Sequence, residues 1–237
     1  MPAVRPQPRE IVGERVRLAP LEHADLPALF DAIGHPVVFA GGYGGGPAGY
    51  TDTVEGFIAF AEKYYGWTSN NVYGVWLVGG PHNGVLVGTS TLGDFEEATE
   101  RTHIGWTAYD PRVWGTAVNA EVKLLMLTEA FDAGFGRVKI QADELNTRSR
   151  AAIAGIGATF EGIMRRDARR ADGSWRNAAV FSVLIEEWPA IRQRLIERID
   201  SSNGRPILYR SMPAGSRVSD GDGTEANNRA VDVAADE

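Results

Sequence analysis

The chain has 237 residues, 43% hydrophobic and 23% charged, which fits one globular domain and excludes a low-complexity or collagen-like chain. The absence of cysteine excludes a disulfide scaffold, a thiolate nucleophile and a Cys-ligated zinc or iron–sulfur centre. The four histidines (His23, His35, His82, His103) show no HExxH spacing, so no metal is expected. A net charge of −7 argues against a general nucleic-acid binder. No apolar run approaches the roughly 18 residues of a membrane span. No apolar signal segment is visible in the first ten residues, so the expected location is the cytoplasm.

Residues 1–10 read as a flexible lead-in, 11–200 as the folded domain, and 201–237 as a disordered tail too poor in large apolar side chains to offset ordering entropy. Alternation over 14–19 predicts a strand that Pro20 ends. Asp25 and Pro27 open a helix that Gly34-His35-Pro36 closes. Residues 40–49 carry six glycines and read as a mobile surface loop, or as a lid over a substrate site. Thr51 or Asp52 caps a helix over about 53–65, with Phe57, Ile58 and Phe60 toward the core. Strands at 72–78 and 85–92 flank a hairpin-like connection, and a third at 102–109 stops at Asp110-Pro111. The strongest helical pattern runs from 118 to about 133, where Gly134 and Gly136 end it. A short strand (138–142) and helix (147–156) follow. Two strands (159–170 and 175–185) are then joined by a turn with an Asp-Gly signal, and 187–199 is a last amphipathic helix. The result is a mixed α+β domain, neither a barrel nor a doubly wound sheet.

Gly44-Gly45-Gly46-Pro47-Ala48-Gly49 matches GxGxxG, but Pro47 interrupts it and no acidic residue lies between Glu62 and Asp94, so a dinucleotide site is not expected. Arg112-Val113-Trp114-Gly115-Thr116-Ala117 is a stronger signal. It joins a strand to the long helix; its small residues admit a close ligand, the first-turn amides favour an anion, and Arg112 adds positive charge. A pyrophosphate suits these features; a plain strand–helix turn would share them. Arg165, Arg166, Arg169 and Arg170 cluster on the last hairpin, where they serve solubility or recruit an acidic face.

Residues 112–117 resemble the [Arg/Gln]-x-x-Gly-x-[Gly/Ala] loop by which the GNAT acetyltransferase superfamily binds acetyl-CoA. His103-Ile104-Gly105-Trp106 resembles the Glu-Ile-Gly-Tyr strand of its RimJ/RimL-like branch. Asn146-Thr147-Arg148-Ser149 with Gly157-Ala158 resembles the Asn-x-x-Ser and the Gly-Phe downstream, and the resemblance spans about residues 12–199. It implies the GNAT fold: a mixed, twisted sheet of about 7 strands with splayed central strands, flanked by helices. It implies an N-acetyltransferase with acetyl-CoA as donor and no metal, acting on a primary amine of a protein N-terminus or Lys. A small-molecule amine and a catalytically silent acyl-CoA-binding module are the alternatives. A homodimer is left open.

By the same resemblance, Trp106, Thr107 and Ala108 bond the pantetheine, and the amides of Val113, Trp114, Gly115, Thr116, Ala117 and Val118 take the pyrophosphate. Asn119 is either a second contact to phosphate or ribose, or a helix-start residue bonding its own backbone. Amine acetylation needs a base, since an alkyl amine is mostly protonated at neutral pH. The resemblance places that base at His103, where many relatives have Glu; a strand histidine satisfied by a hydrogen bond is the plain alternative, and Asp94 is the fallback base. The Tyr that many relatives use to protonate the thiolate is replaced by Ile153. The branch's Ser falls at Ser149, which a helix cap would also explain, and Asn146 fixes the strand–helix junction and contacts the cofactor.

Overall fold

The computed structural model describes residues 2–201 and 204–217. The strands are β1 (Ile11–Val12), β2 (Val16–Pro20), β3 (Asn71–Leu77), β4 (Leu86–Glu96), β5 (Arg101–Tyr109), β6 (Arg137–Asp143), β7 (Thr159–Arg169) and β8 (Trp175–Leu184). They form one sheet in the order β1-β2-β3-β4-β5-β6-β8-β7. Every neighbouring pair is antiparallel except β5 with β6. The helices are α1 (Leu26–Ile33), α2 (Pro36–Ala40), α3 (Val54–Tyr64), α4 (Val118–Asp132), α5 (Thr147–Ile156) and α6 (Trp188–Asp200). The predicted strands and long helices are all present. The sheet has eight strands because the short β1 pairs with β2, Ile11 opposite Leu18.

Helices cover both faces of the sheet. Leu29, Phe30, Phe39 and Phe57 of α1, α2 and α3 pack with Leu21, Val72 and Leu86 on one face. On the other, Val122 and Met126 of α4 and Ile191 and Leu195 of α6 meet Leu18, Val75, Ile104 and Val138. The 3.6-residue spacing of the α4 and α6 side chains makes this burial continuous along each helix.

Both chain ends depart from expectation. Arg5 in the lead-in donates from Nε to Asn71 Oδ1 (2.9 Å) and from Nη2 to the Asn70 carbonyl (3.0 Å), while Ala3 is buried. A single forked guanidinium therefore ties residues 3–5 to the start of β3. Residues 204–217, expected to be disordered, run along the domain as a strap. Pro206 abuts Gly80, Ile207 joins the core on the α4 side, and Tyr209 stacks on His82 with ring centroids 3.8 Å apart. Further on, the Val37 amide donates to the Gly215 carbonyl (2.9 Å) and the Arg217 amide to His35 Nδ1 (3.1 Å). A few well-placed side chains hold this stretch where average composition suggested none would. Residues 218–237 of the expected tail lie outside the described residues.

Ile207→Ala is expected to lower unfolding stability by about 2–4 kcal/mol, the range for truncating a buried aliphatic side chain. Urea denaturation measures it; an unchanged midpoint would mean the strap is not seated.

Candidate active site

The site begins where the parallel pair ends. β5 and β6 are in register from Arg101 opposite Arg137 to Ile104 opposite Ile140, and no further. Beyond Ile104, β5 holds one more residue than the facing stretch of β4, since Gly105 pairs with Thr91 but Ala108 with Thr89. The extra residue is accommodated by Trp106, a non-glycine with φ of 48°. Such a bulge bends the strand and increases its local twist. The strands diverge, leaving a cavity of about 290 Å³ with Trp106, Thr107 and Ala108 along the β5 wall and Gln141, Ala142 and Asp143 along the β6 wall.

The turn after β5 closes one end. Asp110, fully buried, accepts from the Arg112 amide (2.8 Å) and forms a two-pronged pair with its guanidinium, Nη2 to Oδ2 at 2.7 Å and Nε to Oδ1 at 3.1 Å. Gly115 has φ of 70°, which glycine adopts without strain. Of the six amides expected to take a pyrophosphate, those of Val113, Trp114 and Thr116 bond carbonyls within the turn and that of Val118 donates to Thr116 Oγ1 (3.4 Å); the amides of Gly115 and Ala117 have no partner among the described residues. Open amides at a helix start fit a diphosphate, so Gly115, Ala117 and the first residues of α4 would hold that part of a coenzyme. Asn119 lies beside them on the cavity wall.

The N-terminus of α5 faces this turn across the cleft. Asn146 Oδ1 accepts from the Ser149 amide (2.9 Å), and its Nδ2 donates to the Gly41 carbonyl. The residue thus fixes the β6–α5 junction and also ties the glycine-rich segment to it. Ser149 and Ile153 both line the cavity. Arg148 lies over the Trp114 ring, its Cζ 3.4 Å from the centroid.

His103 does not line the cavity; its ring lies behind Gly105, where an added Cβ would come within 2.8 Å of Nε2. Nδ1 is 3.0 Å from Asp94 Oδ2, which also receives Lys139 Nζ at 3.3 Å. Nε2 is buried with no partner among the described residues. Burial lowers the His103 pKa despite the aspartate, leaving the ring neutral at pH 7. The hydrogen bond from His103, with Lys139 assisting, holds Asp94 at about 2.

Sequence reasoning missed Lys123. It is buried on α4, lines the cavity, and donates to Thr107 Oγ1 (3.0 Å) and Ser90 Oγ (3.2 Å). With two neutral hydroxyls as its hydrogen-bond partners, burial lowers its pKa to about 7. The available signal was its position three and four residues before Met126 and Leu127, on the stripe that faces the sheet.

The glycine-rich segment does not form a dinucleotide fingerprint, because helix α2 and not a strand precedes it. Phe39, Tyr43, Phe60 and Tyr64 pack ring against ring around it, and the Ala171 amide donates to the Gly45 carbonyl (3.0 Å). It is seated on the β7–β8 turn, with Tyr43 and Tyr64 facing the cavity.

A mixed sheet that opens at its parallel pair, beside a turn with open amides at Gly115 and Ala117, is built to take a long anionic ligand between its strands. The chain belongs to the acetyltransferase (GNAT) domain family, whose model matches residues 15–159. It is therefore an acetyltransferase, with acetyl-CoA as the family's donor. Among solved structures, one from T. thermophilus, assigned as an acetyltransferase, is 31% identical with a TM-score of 0.73, covering 83% of this chain and 100% of that one. A GCN5-related N-acetyltransferase from Brucella melitensis is 25% identical with a TM-score of 0.73, covering 88% and 95%. Mycobacterium smegmatis RimJ in complex with CoA-disulfide shares the fold at 22% identity and a TM-score of 0.56, covering 77% and 88%. No curated protein matches the sequence. Among the described residues, no helix is long and apolar enough to cross a membrane.

Lys123 gives the site a pH signature. Between about 7, its folded value, and 10.5, its unfolded value, the unfolded chain binds the additional proton, so stability rises with pH across that window. Lys123→Met is expected to be more stable than wild type by about 1–4 kcal/mol at pH 6, with the gap narrowing toward pH 10. Denaturant titrations at the two pH values check it; a gap independent of pH would mean that Lys123 titrates normally.

Proposed function

We propose that the protein acetylates a primary amine on a polypeptide, an N-terminus or a lysine, as a cytoplasmic enzyme of the RimJ/RimL-like kind. The observation that carries the polypeptide acceptor is the sheet edge. β7 is an edge strand, and Phe160, Ile163 and Met164 on it are 48%, 41% and 45% exposed, with Trp175 of β8 opposite Arg169 at the turn end of the hairpin. An extended chain can add to such an edge through backbone hydrogen bonds while apolar side chains settle on it. Arg165, Arg166 and Arg169 of the same strand would favour an acidic segment. Arg170 has another duty, since it pairs with Asp143.

Bound acetyl-CoA supplies an electrophilic thioester. The open amides of Gly115 and Ala117 would hold its diphosphate, and the β5 backbone from Trp106 to Ala108 would line the pantetheine path. Asn146 sets the start of α5, which presents Ser149 to the cleft for protonation of the leaving thiolate. Asp94, held at about 2, is too weakly basic to take the amine's proton at neutral pH and instead orients His103. With the proton kept on Nδ1 by the carboxylate, Nε2 carries the lone pair and accepts a proton that reaches it past Gly105. Lys123 lends positive charge to the cavity wall when protonated.

A second reading has its own observation. The glycine-rich segment closes on the β7–β8 turn through Gly45 and Ala171, walling the acceptor side with Tyr43 and Tyr64. An aromatic wall on the acceptor side suits a small amine.

Mass-spectrometric detection of acetylated products over peptides and small amines separates the two readings; labelling confined to small amines overturns the polypeptide acceptor. His103→Ala is expected to keep CoA affinity and lower kcat by about 10²–10⁴-fold. The wild-type rate should rise with pH through a titration lying below 6.5, and the mutant should lack that limb. Full activity in His103→Ala would return the residue to a structural role. Gly115→Glu should abolish CoA binding in calorimetry, because its carboxylate would fill and repel the diphosphate position.

A further inference from the structure

The strap crosses the coenzyme loop. Beyond Ile207 and Tyr209, the Arg210 amide donates to the Arg112 carbonyl (2.9 Å), and its Nη2 donates to the Gly115 carbonyl (2.9 Å). Its Nη1 would lie 2.9 Å from a Cβ on Gly115. The guanidinium is thus held by both backbone and side chain against the glycine whose amide is open, with a second nitrogen directed at the same place. It comes from a segment outside residues 15–159, the part of the chain that the family model covers.

The electrostatics of the loop give this placement its meaning. Arg112, the loop's own cation, is paired in two-pronged fashion with the fully buried Asp110 carboxylate, and the Tyr209 ring packs on it with Cζ 4.1 Å from the centroid. The pair is close to neutral as a unit, so it offers a diphosphate little net attraction. Arg148, Arg176 and Arg198 line the cavity itself, but the first stacks on Trp114, the second pairs with Asp167 and the third bonds the Gly155 carbonyl on the α5 side. Arg210 is the cation that the fold fastens to the open-amide turn itself. Its hydrogen bonds go to neutral carbonyls, which leave its charge undiminished.

We propose that Arg210 is a coenzyme-binding residue, a cation delivered by the C-terminal strap to the diphosphate of acetyl-CoA in place of the charge that Arg112 gives to Asp110. The strap makes the enzyme select the phosphorylated coenzyme over a bare pantetheine thioester. A planar guanidinium matches two phosphate oxygens at once, and tethering it beforehand reduces the ordering cost of binding. The proposal rests on the reading that the 112–118 turn holds the diphosphate.

The test is calorimetric titration of the full-length wild type and Arg210→Ala with coenzyme A and with pantetheine, alongside thermal melts. Arg210→Ala should melt close to wild type and bind coenzyme A about 10- to 100-fold more weakly, the range of one charge-assisted hydrogen bond. Its pantetheine affinity should be unchanged, its coenzyme A affinity should depend less on salt, and Arg210→Lys should recover part of the loss. Equal weakening toward both ligands would show a merely structural role and overturn the proposal. Unchanged or tighter coenzyme A binding would overturn it too, the latter marking the strap as an obstruction. If wild type binds pantetheine and coenzyme A equally, or neither, the diphosphate reading of the turn fails, and the proposal with it.

Discussion

Four residue pairs of parallel ladder hold β5 to β6, and the molecule is organised around the place where that ladder stops. A sheet that stayed paired would place its backbone groups in hydrogen bonds and leave no room between strands. The extra residue at Trp106 prevents this by forcing β5 to twist away. Helices α4 and α5, which follow the diverging strands, are thereby aimed with their N-termini toward the opening. The cavity and its anion-favouring turn are consequences of one local irregularity in pairing.

Around that opening, charges are arranged in dependent layers. Asp110 is buried and held by Arg112; Arg112 is covered by Tyr209; Tyr209 is stacked on His82. A buried carboxylate requires such a partner, because desolvating it alone would cost several kcal/mol. The pair of Asp94 and His103 shows the same logic with a different outcome. Asp94 is tied to His103 and Lys139, and the histidine stays neutral because it is the more deeply buried of the pair. Lys123 carries the least compensated charge of the group, with hydroxyls where a carboxylate would ordinarily stand, and its depressed pKa is the physical result.

The strap brings an outlying part of the chain to the turn at the end of the cleft, and the glycine-rich segment brings another to the cleft itself. The first comes from beyond α6, the second from between α2 and α3. Each is held by a small number of specific contacts: Ile207, Tyr209 and Arg210 in the first, and the rings of Phe39, Tyr43 and Tyr64 in the second. Both segments are anchored through core residues, Ile207 in one and Phe39 and Tyr43 in the other, so their seating is part of folding.

The sequence by itself determined the long elements, because period-2 and period-3.6 patterns record which side of each element faces a core, and proline and glycine mark the ends. It also marked the turn at 112–117, whose form is local: a strand end, a glycine and a helix start within a few residues. Asn146 was readable as a junction residue for the same reason. Only the tertiary structure decided matters that depend on residues far apart in the chain. Ser90, Thr107 and Lys123 belong to three elements, and the sheet register brings them together. Composition averaged over 201–237 could not show that Ile207 has a place in the core. Nor could a motif show that Arg112 gives its charge to Asp110 while Arg210 stands at Gly115. Pairing, burial and charge balance are properties of side chains brought together across the fold, and a linear pattern records only the neighbours along the chain.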